Sequence, residues 1–473
     1  MKAGLAIALI FLARFAAGAW FDPGRDGDVA WQHWLGLQIL QTGHLPLALG
    51  REAYTAAGAP WVPQEWALSL AIALTLNTPA FILLVAITAL AGFSVLLLTA
   101  RASRILGAST IATAIAVFCV GFSMLESYGI RAQVFAWALL AAVMFVLRCV
   151  QGRSRWWIVV LVALWANLHA SALLAPALLL LWTAGIAVQE RAWSANLRQH
   201  LLLTLASGAA VFATPLGYRL PLYTIALIHS PIRTAINEWQ PSDFTAPSFT
   251  FGALPLMLAM LFFSLRGPRR WSEIFVSAAV AWLAITAVRN VPVCAIVIAP
   301  FVAARLSEYL PERLRVNTIF LERPVTALLY VGCLFAALVS ALSLAVTPEF
   351  KNGNLPVRAI AALAAEPGTH HVYCEDFAWC SLALAYPNLR EFIDGRCDPF
   401  PLTVWKDYET VFYAKRGWRE VLTRRGVDAI VVDKKRTLAR ALPSWHDWRL
   451  VYADARYRLF VRERSGSTAY HQQ

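Results

Sequence analysis

The chain has 473 residues, 59% of them hydrophobic and only 15% charged, with a mean hydropathy of +0.57. That composition excludes a soluble globular domain and defines a polytopic membrane protein. The net charge of +13 does not point to nucleic acid, because the arginines fall in short groups between apolar runs, as they do in cytoplasmic membrane loops.

Apolar segments of roughly 17–25 residues are long enough to cross a bilayer. They are read at 5–21, 72–100, 108–125, 132–150, 156–168, 171–188, 199–215, 251–266, 271–288, 291–305 and 324–346, which predicts about eleven helices. The first run resembles a signal peptide, but Arg14 interrupts it and an acidic loop follows, so an uncleaved helix is expected. Arg101/Arg104, Arg148/Arg153/Arg155, Arg191/Arg198, Arg266/Arg269/Arg270 and Arg305/Arg313/Arg315 fall in alternate loops and mark the cytoplasmic side. An odd number of spans then places both the loop 22–66 and the C-terminal part outside the cytoplasm.

The expected domains are a membrane domain over 1–347, with its first outer loop at 22–66, and a C-terminal α/β domain over 348–473. In the latter, helices are predicted at 355–365, 377–386, 403–414 and 418–425, and strands at 371–375, 390–393, 428–432, 449–452 and 457–462. The alternation indicates a small α/β fold with a hairpin at one edge.

Polar chemistry concentrates in the outer loops. Asp26-Gly27-Asp28 puts two carboxylates about one turn, suited to holding a divalent cation against a phosphate or to supplying a base. Asp28 is equally placed to cap the following helix, 29–41, whose Trp31, Trp34, Leu35 and Ile39 suit a membrane interface. His33 and Gly36 share a face of that helix. Arg14 lies inside an apolar helix, and Arg131, Arg219, Arg233 and Arg289 lie at the outer edge against the charge trend, a pattern that suits a phosphate or pyrophosphate cluster. His169 follows Asn167 between two apolar helices. Glu65-Trp66 and Glu238-Trp239 each pair a carboxylate with an aromatic ring, as sugar sites and interfacial belts both do. In the C-terminal domain, Glu375-Asp376, Asp394-Gly395-Arg396 and Asp433 each follow a predicted strand, where a ligand or a docking contact belongs. Among Cys374, Cys380 and Cys397, a Cys380–Cys397 disulfide is expected outside the cytoplasm.

The order D-G-D, His33, Gly36, T-G-H-L-P, Y-T-x-x-G-x-P-W and E-W resembles the first outer loop of bacterial membrane proteins related to the GT-C glycosyltransferases. W-A-N-L-H, N-E-W-Q-P, A-V-R-N-V-P and F-I-D-G-R continue the resemblance, as does T-P-L-G-Y-R, which departs at Thr214 where relatives usually carry asparagine. The resemblance implies a polyprenyl-phosphate-linked sugar as donor, in the bacterial cytoplasmic (inner) membrane. It also implies a first-loop aspartate, here Asp28 or Asp26, as base. Arg131, His169 and Arg289 would hold the carrier phosphate, with Arg14, His33, Glu65, Trp66 and Glu238 lining the site, and a divalent ion, Mg or Mn, at Asp26 and Asp28. The acceptor, whether glycan, lipid or protein, is left open. The rival expectations are a transporter or flippase of lipid-linked saccharide and a non-catalytic assembly protein. Transporters usually carry two similar halves, which this sequence does not show.

Overall fold

A computed structural model describes residues 2–22, 26–312, 355–445 and 447–463. The helices run α1 (Lys2–Phe21), α2 (Asp28–Thr42), α3 (Trp66–Thr75), α4 (Phe81–Ile105), α5 (Thr110–Met124), α6 (Ala132–Cys149) and α7 (Trp157–Leu168). They continue as α8 (Leu174–Glu190), α9 (Ala195–Ala210), α10 (Arg219–His229), α11 (Leu254–Arg266), α12 (Trp271–Thr286) and α13 (Val291–Tyr309). The C-terminal part adds α14 (Val357–Ala364), β1 (His370–Cys374), α15 (Phe377–Cys380), β2 (Leu389–Glu391), α16 (Leu402–Phe412), α17 (Trp418–Arg424), β3 (Ala429–Asp433), α18 (Thr437–Ala441), β4 (Trp448–Ala453) and β5 (Tyr457–Arg462).

The chain packs as two compact units, one from Met1–Trp20 and Asn77–Val346, the other from Phe21–Leu76 and Thr347–Gln473. The first loop thus packs with the C-terminal domain. One boundary falls inside the segment expected to cross the membrane as a single helix over 72–100. Asn77 takes a left-handed φ of 67° and Pro79 follows, so α3 ends at Thr75 and α4 begins at Phe81.

In the first unit α13 is central: it packs on α4, α5, α6, α11 and α12. Its most apolar stretch is 83% buried, against 39–56% in the four other long apolar helices. Among the described residues, five helices are long and apolar enough to cross a bilayer: Phe81–Ile105, Ala132–Cys149, Ala170–Glu190, Ser248–Arg266 and Val288–Tyr309. The protein is therefore a multi-pass membrane protein. A deeply buried ion pair joins the ends of α6 and α12. Arg148 binds Glu273 through two guanidinium nitrogens and donates to the Val297 carbonyl at 2.8 Å, so both charges are compensated away from water. The expected span at 324–346 lies outside the described residues.

In the second unit the sheet order is β2-β1-β3-β5-β4. β2, β1 and β3 are parallel, while β5 runs antiparallel to β3 and closes a hairpin with β4. β3, Ala-Ile-Val-Val-Asp, is buried along its whole length, as a strand covered on both faces should be. α14 and α15 cover one face through Ile360, Leu363, Trp379 and Cys380. The first loop contributes α2 and α3, packed closely because Gly36 lets the helices meet: a Cβ there would lie 2.1 Å from the Ser69 carbonyl oxygen.

Candidate functional site

The acidic turn of the second unit starts with local geometry. Asp26 Oδ1 accepts the Asp28 N–H at 3.0 Å, and Asp28 Oδ1 accepts the Trp31 indole N–H at 3.1 Å. Asp28 is the first residue of α2, with Gly27 at the N-cap. The capping expected of Asp28 therefore falls to Asp26, and the Asp28 carboxylate sits in the first turn, where the helix dipole favours it. Both aspartates are half-buried.

The motifs singled out in the C-terminal domain meet this turn. A Cβ on Gly27 would lie 2.1 Å from the Ala378 carbonyl oxygen, and one on Gly395 would lie 2.9 Å from Asp28 Oδ1 and from Ser381 Oγ. Asp376 accepts the Ala378 N–H at 3.0 Å. Burial raises its carboxyl above the usual range, and the charge of Asp26 adds to the rise. D-G-D, E-D and D-G-R thus form one packed junction.

Arg396 is the anchor of that junction. Its side chain is 0% exposed and donates to both Asp394 oxygens, to Glu391 Oε1 at 2.8 Å and to Glu52 Oε1 at 3.0 Å. Its guanidinium also lies over Trp34 at 5.0 Å and Trp61 at 5.2 Å. Burial, reinforced by Asp394, drives the Glu391 carboxyl well above its usual range, with Arg396 pulling it back. D-G-R is thus a buried fastening, occupied by the chain's own groups.

The remaining first-loop candidates serve the α2–α3 contact. Glu65 accepts hydrogen bonds from Gln32 and, at 2.9 Å, from Gln64. The Trp66 indole N–H is buried with no acceptor among the described residues. His33 is half-buried, and burial lowers its pKa, so it is neutral at pH 7.

The expected Cys380–Cys397 disulfide does not form; both are thiols. The Cys380 thiol points back to the Val372 carbonyl oxygen of β1, while that of Cys397 points to its own turn at Asp394, both at 3.8 Å. Sequence spacing could not show that the two side chains diverge. Among the described residues, no three His, Cys, Asp or Glu side chains are grouped to hold a metal ion. At Asp26 and Asp28 one oxygen of each carboxylate accepts an N–H of the same turn, and among the described residues no further His, Cys, Asp or Glu completes a group with this pair that could hold the expected metal.

In the first unit four separated segments assemble a cationic and aromatic cluster. Arg131 stands at the start of α6 and pairs with Glu238 Oε1. Glu238 and Trp239 belong to a single 3₁₀ turn, Asn237–Trp239, and Arg289 to another, Val288–Asn290. The turns are tied by the Val288 N–H to the Gln240 carbonyl at 3.0 Å. Arg289 and Arg233 both lie over the Trp239 ring, at 4.4 and 4.7 Å. Burial pushes the Glu238 carboxyl up, but Arg131 and Arg289 outweigh it and hold the acid ionised, below the usual range.

His169 breaks the chain between α7 and the short turn Ala170–Leu173, within electrostatic reach of Arg289 and Glu238. Its Nδ1 accepts the Ser171 backbone N–H at 3.0 Å and lies 2.7 Å from the Ser171 hydroxyl, which assigns the ring proton to Nε2. Arg219 is not drawn in; it is exposed at the start of α10, a helix that lies outside the expected spans. Arg14 extends along α1, its Nη1 3.3 Å from where a Cβ on Gly18 would lie and beside Tyr128.

The helical membrane unit, with a small α/β domain that packs with the first loop, defines a GT-C-like fold, as the sequence motifs led one to expect. The chain is similar to the archaeal oligosaccharyltransferase AglB from Archaeoglobus fulgidus, in complex with an inhibitory peptide and a dolichol-phosphate. The TM-score is 0.59 at 12% identity, over 91% of this chain and 69% of that one. A second AglB structure, a complex with Zn and sulfate, gives 0.54 at 12% identity over 91% and 68%. ArnT from Cupriavidus metallidurans, bound to undecaprenyl phosphate, gives 0.51 at 14% identity over 98% of both chains. No protein-family model and no curated protein matches the chain. At these identities the likeness establishes the fold.

Proposed function

We propose that the chain is an integral-membrane glycosyltransferase that moves a sugar from a polyprenyl-phosphate donor to an acceptor. The reaction takes place on the extracytoplasmic face of a bacterial inner membrane, where the C-terminal domain also lies. The observation that carries this is the cluster of Arg131, Arg289, Arg233, Trp239 and His169, built from four segments of a fold whose solved relatives hold dolichol-phosphate and undecaprenyl phosphate.

The chemistry is a single displacement. As the acceptor's nucleophile attacks the anomeric carbon, Asp28 or Asp26 takes its proton, and the bond from that carbon to the phosphate oxygen breaks. The departing phosphate gains negative charge. Guanidinium groups and an imidazole Nε2–H supply charge-assisted hydrogen bonds to it as that charge develops.

The test is turnover of radiolabelled polyprenyl-phosphate sugars by the purified protein, wild type against Asp26→Asn and Asp28→Asn. Wild type should turn over a donor from a broad panel, and loss of the base should cost roughly 10²–10⁴ in rate. Full activity in both variants would dismiss the aspartate base. Absence of turnover for every donor would dismiss the reading.

A further inference from the structure

We propose that Glu238 is a built-in stand-in for the donor's phosphate: its carboxylate occupies Arg131 in the ligand-free chain and gives way when a phosphate arrives. This rests on the reading that the arginine cluster binds an isoprenoid phosphate. A carboxylate and a phosphate present similar oxygens to a guanidinium, so the two anions compete for one cation.

The membrane unit offers an internal comparison. The Arg148–Glu273 side chains are 1% and 7% exposed and are further held by the Val297 carbonyl, as a structural pair should be. The Arg131–Glu238 side chains are 25% and 36% exposed, so an incoming anion can reach the pair and water can take the displaced carboxylate.

The local chain suits an exchange. Glu238 sits in a three-residue 3₁₀ turn flanked by extended Ile236 and Gln240, so no longer helix fixes its direction. The ring of Trp239, the next residue, lies against both Arg233 and Arg289. The turn is therefore tethered at the ring while the neighbouring carboxylate keeps the freedom of a glutamate side chain.

Charge gives the device a purpose. Arg131, Arg233 and Arg289 carry three positive charges against one on Glu238. A phosphodiester donor carries one negative charge, whereas the polyprenyl phosphate released carries between one and two near neutral pH. Without Glu238 the cluster would favour the released monoester most and retain it. The stand-in restores Arg131 after each turnover and lowers product retention.

The experiment measures binding of farnesyl phosphate to the full chain in detergent, together with product inhibition by the same compound. Glu238→Gln should bind it about two- to fivefold more tightly, the size expected for removing a partly exposed competing ion pair, and inhibition should strengthen in parallel. Glu238→Asp, shorter by one methylene, should tighten binding by a smaller factor and serves if the glutamine variant fails to fold. If wild type binds and both variants bind equally or more weakly, the stand-in is wrong while the phosphate reading survives. If neither wild type nor variant binds farnesyl phosphate, the phosphate reading itself fails and takes the stand-in with it.

Discussion

Arg396 and Glu52 are 344 residues apart in the chain and 3.0 Å apart in space. Three further contacts follow the same seam: the Glu391 N–H to the Glu52 carbonyl at 2.8 Å, the Thr55 hydroxyl to the Phe392 carbonyl at 2.5 Å, and Tyr54 stacked on His371 at 4.0 Å. The loop thereby covers β2, an edge strand whose open N–H and C=O groups would otherwise invite pairing with another chain.

Substituting Arg396 should therefore unfasten the loop as well as perturb the sheet. Arg396→Met leaves the buried Asp394 and Glu391, and the partly exposed Glu52, without their cation, at a cost of about 3–5 kcal/mol. Arg396→Lys should recover little, because an ammonium cannot reproduce the bidentate contact with Asp394 or the contacts of a planar guanidinium with Trp34 and Trp61. Denaturant unfolding of the full chain in detergent, with limited proteolysis of residues 43–60, reads both effects. A wild-type midpoint in Arg396→Met would show that the cluster carries no stability.

Two glycines at the junction should differ in tolerance. Gly27→Ala drives a methyl into the Ala378 backbone, 2.1 Å from its oxygen and 2.7 Å from its carbonyl carbon, and backbone cannot retreat alone. Gly395→Ala meets mainly side-chain atoms at 2.9 Å, which can turn away. Overpacking of this kind costs about 1–3 kcal/mol, with Gly27→Ala at the upper end and Gly395→Ala at the lower. The reverse order in thermal unfolding would contradict the close approach of the D-G-D turn to Ala378.

Asp26 holds two possible roles that substitution can separate. Asp26→Ala removes the acceptor for the Asp28 N–H and should lose about 1 kcal/mol of stability. Asp26→Asn keeps an oxygen at that position and should be close to wild type in stability. If turnover falls in Asp26→Asn while the unfolding midpoint holds, Asp26 acts in the chemistry. If turnover falls only in Asp26→Ala, its contribution is the cap.

Much of the second unit was legible locally. Period-two and continuous apolar runs located β1, β3, β4 and β5 within a residue or two, because each strand's pattern is set by its own burial. The break at Asn77 was also written locally, in Asn-Thr-Pro, but the apolar residues on either side outweighed it. What the sequence did not reveal is pairing between distant residues. Nothing near Arg396 names Glu52, and nothing near Glu238 names Arg131; the motifs were visible, their partners were not. The thiols show the same limit, since the expected pairing depended on side-chain directions that only the packed turn at Asp394 determines.

Glu375 gives the sharpest pH prediction. It stands just past β1 beside the end of β3, where its Oε2 accepts the Asp433 N–H at 2.9 Å while its Oε1 is buried without a partner among the described residues. Burial raises its pKa to about 7, the Asp433 N–H acting in the opposite direction. The folded carboxyl therefore keeps its proton over a window, from about 4.5 to about 7, in which the unfolded one has lost it. A native state that binds the extra proton is progressively less favoured as pH rises through that window, and the contribution is gone above it. Wild-type stability should thus fall relative to Glu375→Gln between pH 4.5 and 7.5, by something of the order of 2–3 kcal/mol, and run parallel to it above pH 8. Asp376, also raised by burial, is common to both proteins and cancels in the difference. Denaturant midpoints at half-unit pH steps decide the matter: curves that stay parallel across the whole window would mean that Glu375 is ionised in the folded chain and that its buried oxygen has a partner.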